Sequence, residues 1–502
     1  MTESYLLSLL IFSPLLGILI LLFIPKNQEK MIKLIGFLAT VLPLALAFMA
    51  YSAFDKTASG YQFVESKEWI NFSNGTMQAF GIDMAINYEL GLNGLGMVLI
   101  LLTAVVASLA AIASIHIKRE WKGYFMLFLL LEIGMLGVFA AQNLFLFFLF
   151  FEITLIPMYF LIGKWGYIDR EKAANSFLIY NGLGSAVMLI AFVALFVRTG
   201  TMNIEEITMM MQALGPEANN FKWGVLVALL IAFGVKLPIF PLHSWMLRVH
   251  VQAPPAIVMI HSGILLKIGA YGLIRFGLGF FPEQITQIAM LIAILGVINL
   301  LYGAYLALIQ TDLKMVMAYS SISHMGIVLI GIAALNEAGI QGAVFQVVSH
   351  GLISALLFFL IGVYYERTKT SEIPKLGGLA RSMPIASGFL LVGALASLGL
   401  PGMSGFISEF LAFLGLFREM PIVAAVGALG IILTAIYLLK AVLNVTYGPT
   451  PDKWHKLEDI RPLELVPVLV LVGFIVLIGV YPSILAEPLQ VTLQLILQGI
   501  GG

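Results

Sequence analysis

Six titratable residues stand where an apolar chain should not carry them. Lys236 lies in FGVKLPIFP, with Pro238 and Pro241 close behind it. Lys267 closes the run GILLK, and Glu152 sits inside LFLFFLFFEITLIPMYFL. His324 lies in AYSSISHMGIV, His350 in VFQVVSHGLIS, and Glu409 in LGLPGMSGFISEF. A charge at the centre of a membrane helix costs about 2.5–3.5 kcal/mol on insertion scales. A proline break frees backbone groups that lipid cannot satisfy. Both are tolerated where a polar route runs through protein. Carboxylates, amines and imidazoles are also the side chains that take up and release protons. In chain order they form a series, Glu152, Lys236, Lys267, His324, His350 and Glu409. Such a series suits the movement of a proton across a membrane, with Glu152 and Lys236 as a switchable ion pair and Glu409 at the far end.

Each residue also has a structural reading. Glu152 could pair with a loop charge, and Lys236 could serve carbonyls freed by the break. Lys267 and Lys440 could snorkel to an interface. The two histidines could join helices by hydrogen bonds. Glu132, in LLLLEIGMLGVF, is a further carboxylate in an apolar run. His243, His250 and His261 crowd the first break but lack the spacing of a metal set. They are left out of the series, and no metal site is expected.

The elements that position these groups are membrane spans. The chain has 502 residues, of which 60% are hydrophobic and only 11% charged. Soluble domains carry about 25% charged residues, so a polytopic membrane protein is expected. The balanced charge gives no reason to expect a nucleic-acid partner. There is no cysteine, which removes the usual ligands of iron–sulfur clusters. No cofactor is expected in this chain, and any electrons would travel in another subunit. The opening MTESYLLSLLIFSPLLGILILLFIP reads as a retained first span.

A span needs about 20 largely apolar residues. Fourteen segments qualify: 5–25, 31–54, 91–115, 121–141, 143–165, 173–198, 222–245, 255–280, 284–308, 312–334, 340–365, 384–417, 421–447 and 464–487. The stretch 55–90 reads as one loop outside the membrane, with some strand. The seventh span breaks at Lys236-Leu-Pro and the twelfth at Leu400-Pro-Gly. Proline- or glycine-interrupted spans in matching positions point to internal repeats and to an ion site. The offset of five spans is odd, so the repeats are inverted. The expected fold is an all-α polytopic membrane protein with 14 transmembrane helices, two inverted five-helix repeats and broken helices 7 and 12. Residues 1–120 hold the first three helices and the loop, 121–280 the first repeat, 284–447 the second, and 448–502 the last helix.

At this point the motifs are recognisable. FLFFEITLIPMYFLIGKWG, KLPIFPLHSWMLRVHVQAPPAIVMIHSGILLKIGAYGLIRF, LIQTDLKMVMAYSSISHMG and LGLPGMSGFISEF resemble the M-type, antiporter-like membrane subunits of bacterial complex I, the NADH–quinone oxidoreductase. More widely they resemble a family that includes the D subunit of Mrp-type sodium/proton antiporters. The resemblance covers most of the chain and is strongest over 121–447. It implies the same fold, with a helix-five glutamate at Glu152, lysines at Lys236 and Lys267, polar groups at His324 and His350, and a terminal residue at Glu409. A glutamate there is similar to M-type subunits, where siblings carry lysine. The chain departs from the family at Arg248, Gln252 and His261.

The resemblance implies a proton-translocating membrane subunit, part of a translocase, coupled to quinone reduction elsewhere in the assembly. Its partners would be sibling membrane subunits, the lipid bilayer and protons, in the inner (cytoplasmic) membrane of the cell. The alternative is a subunit of a sodium/proton antiporter. A purely structural spacer would keep pumping intact after replacement of all six residues.

Charge asymmetry sets orientation. With the N-terminus outside, eighteen of the 27 lysines and arginines fall on inside loops, six fall outside, and Lys236, Lys267 and Lys440 lie within spans. That bias follows the positive-inside rule and puts both termini on the outer side. Reporter fusions at Gly502 and within the 367–381 loop should therefore report opposite faces. The same face from both would mean that the number of crossings is wrong by an odd number.

Overall fold

The computed structural model describes residues 5–71 and 85–500. Nearly every element is a helix, as apolar runs in a membrane require. The helices are α1 (Leu6–Phe23), α2 (Glu29–Ala53), α3 (Gly94–Ala113), α4 (Trp121–Ala140), α5 (Leu144–Trp165), α6 (Arg170–Thr199), α7 (Ile204–Ala213), α8 (Asn219–Lys236), α9 (Ser244–Gln252), α10 (Pro255–Leu278), α11 (Pro282–Ile309), α12 (Leu313–Ala333), α13 (Glu337–Thr368), α14 (Pro384–Ser397), α15 (Ser404–Glu419), α16 (Pro421–Thr446), α17 (Pro462–Val480) and α18 (Ser483–Ile500). Several begin where an Asn or Asp side chain caps the free amides of the first turn. Asn93, Asn143, Asn203, Asp312 and Asn336 do this at α3, α5, α7, α12 and α13.

Among the described residues, thirteen helices are long and apolar enough to cross a membrane. The expected span 384–417 is broken, as its Leu400-Pro-Gly run implied. It is α14 and α15, each short of a span, joined through Leu398–Met403. The expected span 222–245 likewise ends at Lys236 and resumes as α9. Both breaks fall where the prolines and glycines placed them. The described part of 55–90 contains a hairpin, β1 (Gln62–Asn71) antiparallel to β2 (Ala85–Leu92), with Gln62 opposite Leu92. Glu65 on β1 accepts from the amides of Leu7 and Ser8 at 2.8 and 3.1 Å. It thereby caps α1 where the helix dipole favours a carboxylate. The helix α18 was not foreseen. Its apolar residues lie along one face, so composition alone gives it no span.

Close helix crossings bring the titratable residues together. Gly263 on α10 faces Gly351 on α13, and a side chain on Gly351 would lie 2.7 Å from the Gly263 carbonyl. These neighbours of Lys267 and His350 let two backbones meet, as small residues do in membrane bundles. Gly342 on α13 packs the same way against the backbone of Ala412 on α15. The apolar stretches of α10 and α13 are buried inside the protein.

At the face opposite the hairpin, Arg367 fastens α13 to α17. It grips both Glu464 oxygens at 3.1 and 2.6 Å and donates to the carbonyls of Glu458 and Asp459. The two side chains are 6% and 0% exposed. His116, beyond α3, lies 3.1 Å from the same carboxylate. Removing one partner of a buried pair strands the other charge. Arg367→Ala should lower the unfolding free energy of the detergent-purified protein by about 3–5 kcal/mol, read as a fall in thermal midpoint. Arg367→Lys should recover only part, because a lysine cannot grip both oxygens. An unchanged midpoint in the alanine variant would sink this assignment.

Candidate functional site

The broken seventh span is held open by a residue from another helix. Asn299 on α11 is fully buried, accepts from the Phe240 amide at 2.7 Å and donates to the Pro238 carbonyl at 3.2 Å. The Trp245 indole donates to the Val235 carbonyl at 3.2 Å. Freed backbone groups thus find partners inside the protein, which is the condition for a break at membrane depth.

Lys236 is the last residue of α8 and is 1% exposed. Its ammonium has no hydrogen-bond partner and lies over the rings of Phe151 and Phe177, at 4.8 and 5.7 Å. A cation over an aromatic face gains about 2 kcal/mol when desolvated, which offsets only part of its burial. Glu152, on α5 beside Phe151, is the carboxylate that acts on Lys236 through space. The two are not in contact, since no ion pair joins them within 4.0 Å and Glu152 Oε1 has no hydrogen-bond partner. Glu152 is also half-buried rather than central.

The other four residues converge. Lys267 is fully buried and its Nζ lies 2.7 Å from His350 Nδ1. The His350 and His324 rings are 5.3 Å apart between centroids. His324 Nδ1 lies 3.1 Å from the Gln346 amide nitrogen and 3.6 Å from Glu409 Oε1. With that amide donating, Nδ1 accepts and Nε2 is left to donate to Ser397 Oγ at 3.0 Å. Ser408 donates to the Gln346 carbonyl oxygen at 2.5 Å, so the amide is fixed at both ends. The four groups come from α10, α13, α12 and α15. The second break bounds the cluster. Gly399 has φ +82°, and a side chain there would meet Glu409 Oε2 at 2.8 Å. The glycine permits the left-handed turn and leaves room for the carboxylate.

Two groups left out of the sequence series belong to this region. His250 Nε2 and His261 Nδ1 are 2.9 Å apart, both buried. His261 packs on Phe177, the ring that also lies under Lys236. Its electrostatic neighbours include both Lys236 and Lys267. His261 thus shares the Phe177 ring with Lys236 and bonds to His250. Their separation of eleven residues crosses a proline turn, so no helical period announced the contact. Gln346, Ser397 and Ser408 were also missed, as uncharged residues give little signal in sequence.

Other residues fall outside the cluster. Lys440 is exposed, and its Nζ reaches the Leu308 carbonyl at 3.3 Å. Glu132 is fully buried with neither oxygen hydrogen-bonded. His243 sits against Tyr302, 3.2 Å from its hydroxyl. Among the described residues no group of three His, Cys, Asp or Glu could hold a metal ion. Two stretches of wider helical winding, His261–Leu265 and Leu273–Leu278, flank the Lys267 segment. Such bulges are rare and occur often at functional sites.

Residues 141–436 match the model of the family described as NADH:quinone oxidoreductase/Mrp antiporter, TM. The chain is 37% identical to NADH-quinone oxidoreductase subunit M of Rickettsia prowazekii, over 96% of each chain. Its structure is similar to a chain in respiratory complex I from Thermus thermophilus with bound NADH, with TM-score 0.86, 29% identity, and coverage of 99% and 100%. A chain of the Mrp complex from Dietzia sp. has the same fold, with TM-score 0.83 at 20% identity, and coverage of 99% and 100%.

Two glycines on the broken twelfth span give opposite expectations. Gly399→Ala forces a side chain into a left-handed turn and onto the Glu409 carboxylate, and should destabilise by at least about 1–2 kcal/mol. Gly388, on α14, faces open space. Gly388→Ala should be neutral or stabilising by up to about 1 kcal/mol. Thermal midpoints of the two purified variants check this, and equal shifts would contradict the cradle at Gly399.

Proposed function

The chain belongs to the NADH:quinone oxidoreductase/Mrp antiporter family of membrane subunits, and from that premise we propose a path for the proton through it. It is a multi-pass, proton-translocating membrane subunit of a complex I-type quinone oxidoreductase, working among other membrane subunits of that assembly. The antiporter reading is less favoured, since the likeness to the Mrp chain is one of fold alone.

The proposed path starts at Glu152 and Lys236, passes the His250–His261 pair, reaches Lys267 and His350, and ends through His324 at Glu409. The observation that carries it is the run of contacts from Lys267 to Glu409. An ammonium facing a neutral imidazole nitrogen can hand over a proton along the hydrogen bond, and the imidazole can release one from its other nitrogen. His324 is held with its Nδ1 lone pair towards Gln346 and Glu409, so its orientation is set before a proton arrives. At the start, protonation of Glu152 removes the negative charge that faces Lys236. The ammonium is then left among rings, and its proton moves towards the histidine pair. Coupling to quinone reduction requires two states of this start, biased by a neighbouring subunit.

The fold reading adds two inverted five-helix units over 121–280 and 284–447, supported by one break in each. The chain holds no redox centre of its own, a reading supported by the absence of cysteine. Both termini face the outer side of the inner membrane, supported by the distribution of basic residues.

Glu152→Ala and Lys236→Ala should each abolish most proton pumping coupled to quinone reduction, with the assembly intact on a native gel. Glu152→Asp should retain some. Glu409→Ala should impair pumping, and Glu409→Lys should restore part of it. The readout is proton uptake by reconstituted vesicles per quinone reduced. Wild-type stoichiometry in both Glu152→Ala and Lys236→Ala assemblies would overturn the path.

A further inference from the structure

One buried cation plays no part in this path. Arg275 lies on α10, three residues before the span ends at Leu278, or about 4.5 Å along the helix axis. Its residue is only 7% exposed. The guanidinium sits between the rings of Tyr61 and Tyr271, at 5.4 and 5.5 Å. It donates to the Tyr271 hydroxyl and to Gln142 Oε1, and its Nε has no partner. No carboxylate oxygen of a described residue comes within 4.0 Å of it. Glu205 acts on it only from a distance. A full positive charge is therefore buried among neutral groups, and a buried unpaired charge is strongly unfavourable.

The charge borders an open cavity of about 350 Å³ on the hairpin face, between α3, α7, α10 and α18. The N-terminus of α3 borders it at Asn93 and Gly94, with the Gly94 amide bonded to Thr492 and the Gly96 amide to Asn93, and adds the positive end of a 20-residue helix. Lys56 stands at the rim, paired with Glu487 at 2.7 Å. Leu278, Leu495 and Ile496 add apolar lining, and Glu205 is the one unpaired carboxylate residue among the described residues that line it. The cavity thus combines a buried cation with apolar surface. Its depth, one turn from the end of a span, is that of lipid headgroups.

We propose that this cavity is a binding site for an anionic phospholipid, with the headgroup phosphate on Arg275 and an acyl chain along α18. A planar guanidinium is well matched to a phosphate, to which it can offer more than one donor. The terminal nitrogens, each bonded to one protein acceptor, keep a further N–H to offer. The lipid supplies the counter-charge that the protein lacks there and joins α18 to the end of α10.

The test uses the purified assembly in phosphatidylcholine vesicles doped with photoactivatable phosphatidylglycerol. Crosslinks should map to peptides covering 204–212 and 488–499. They should be saturable and fall about tenfold in Arg275→Gln, as expected when a charge-assisted hydrogen bond is lost. Arg275→Lys should retain an intermediate level. Leu495→Trp, at an exposed position lining the cavity, fills the acyl wall without touching the charge and should also suppress labelling. It keeps the test decisive should Arg275→Gln fail to assemble. Equal labelling in wild type and Leu495→Trp identifies unspecific boundary lipid and overturns the proposal. Displacement by inorganic phosphate as effective as by phosphatidylglycerol marks a free-anion site and overturns the lipid assignment. Displacement by the lipid alone supports it.

Discussion

Everything in this bundle answers to one constraint: polar groups at membrane depth must find partners inside the protein. Two helices are broken, and each break leaves amides and carbonyls that lipid cannot serve. Asn299 serves the first from a helix outside the broken one. At the second, the Gly399 turn folds the chain around Glu409, and Ser397 and Ser404, at the ends flanking the break, bond to His324 and Ser349. The same constraint governs the side chains. Lys267 is tolerated at the centre because His350 accepts from it, and His350 can reach it because Gly263 and Gly351 let the helices touch.

Much of this was legible in the sequence because hydrocarbon is an unforgiving solvent. A lysine in an apolar run signals an interior polar site, and proline beside it signals a break. Both inferences located Lys236 and Lys267 without any structure. The spans were equally plain, and the proline and glycine signals in 222–245 and 384–417 marked where each of those two is interrupted. Contacts were not legible. Nothing in the spacing of His250 and His261 shows that a proline turn folds one imidazole onto the other. Nor did charge reveal Gln346, which fixes His324 as a neutral amide. The helix α18 was hidden for a related reason: its apolar residues cover one face only, so its length of apolar chain falls short of a span.

The two ends of the titratable series differ in kind. From Lys267 to Glu409 each group lies against the next, with amide and hydroxyl partners holding the orientation. At Lys236 the neighbours are rings. Phe151 and Phe177 stabilise the ammonium as a charge but can neither accept nor relay its proton. Glu152 reaches it only through space, from a half-buried position on the flank of the bundle.

This asymmetry matters because a chain of hydrogen-bonded acids and bases that crossed the whole membrane would conduct at all times. A machine driven by a distant reaction needs one link that is made only in one state. In the proposed path the aromatic surround of Lys236 is that open link, with Glu152 acting across it, and the groups from Lys267 to Glu409 carry on what it admits. The break follows Lys236 directly, and Asn299 ties its turn to α11.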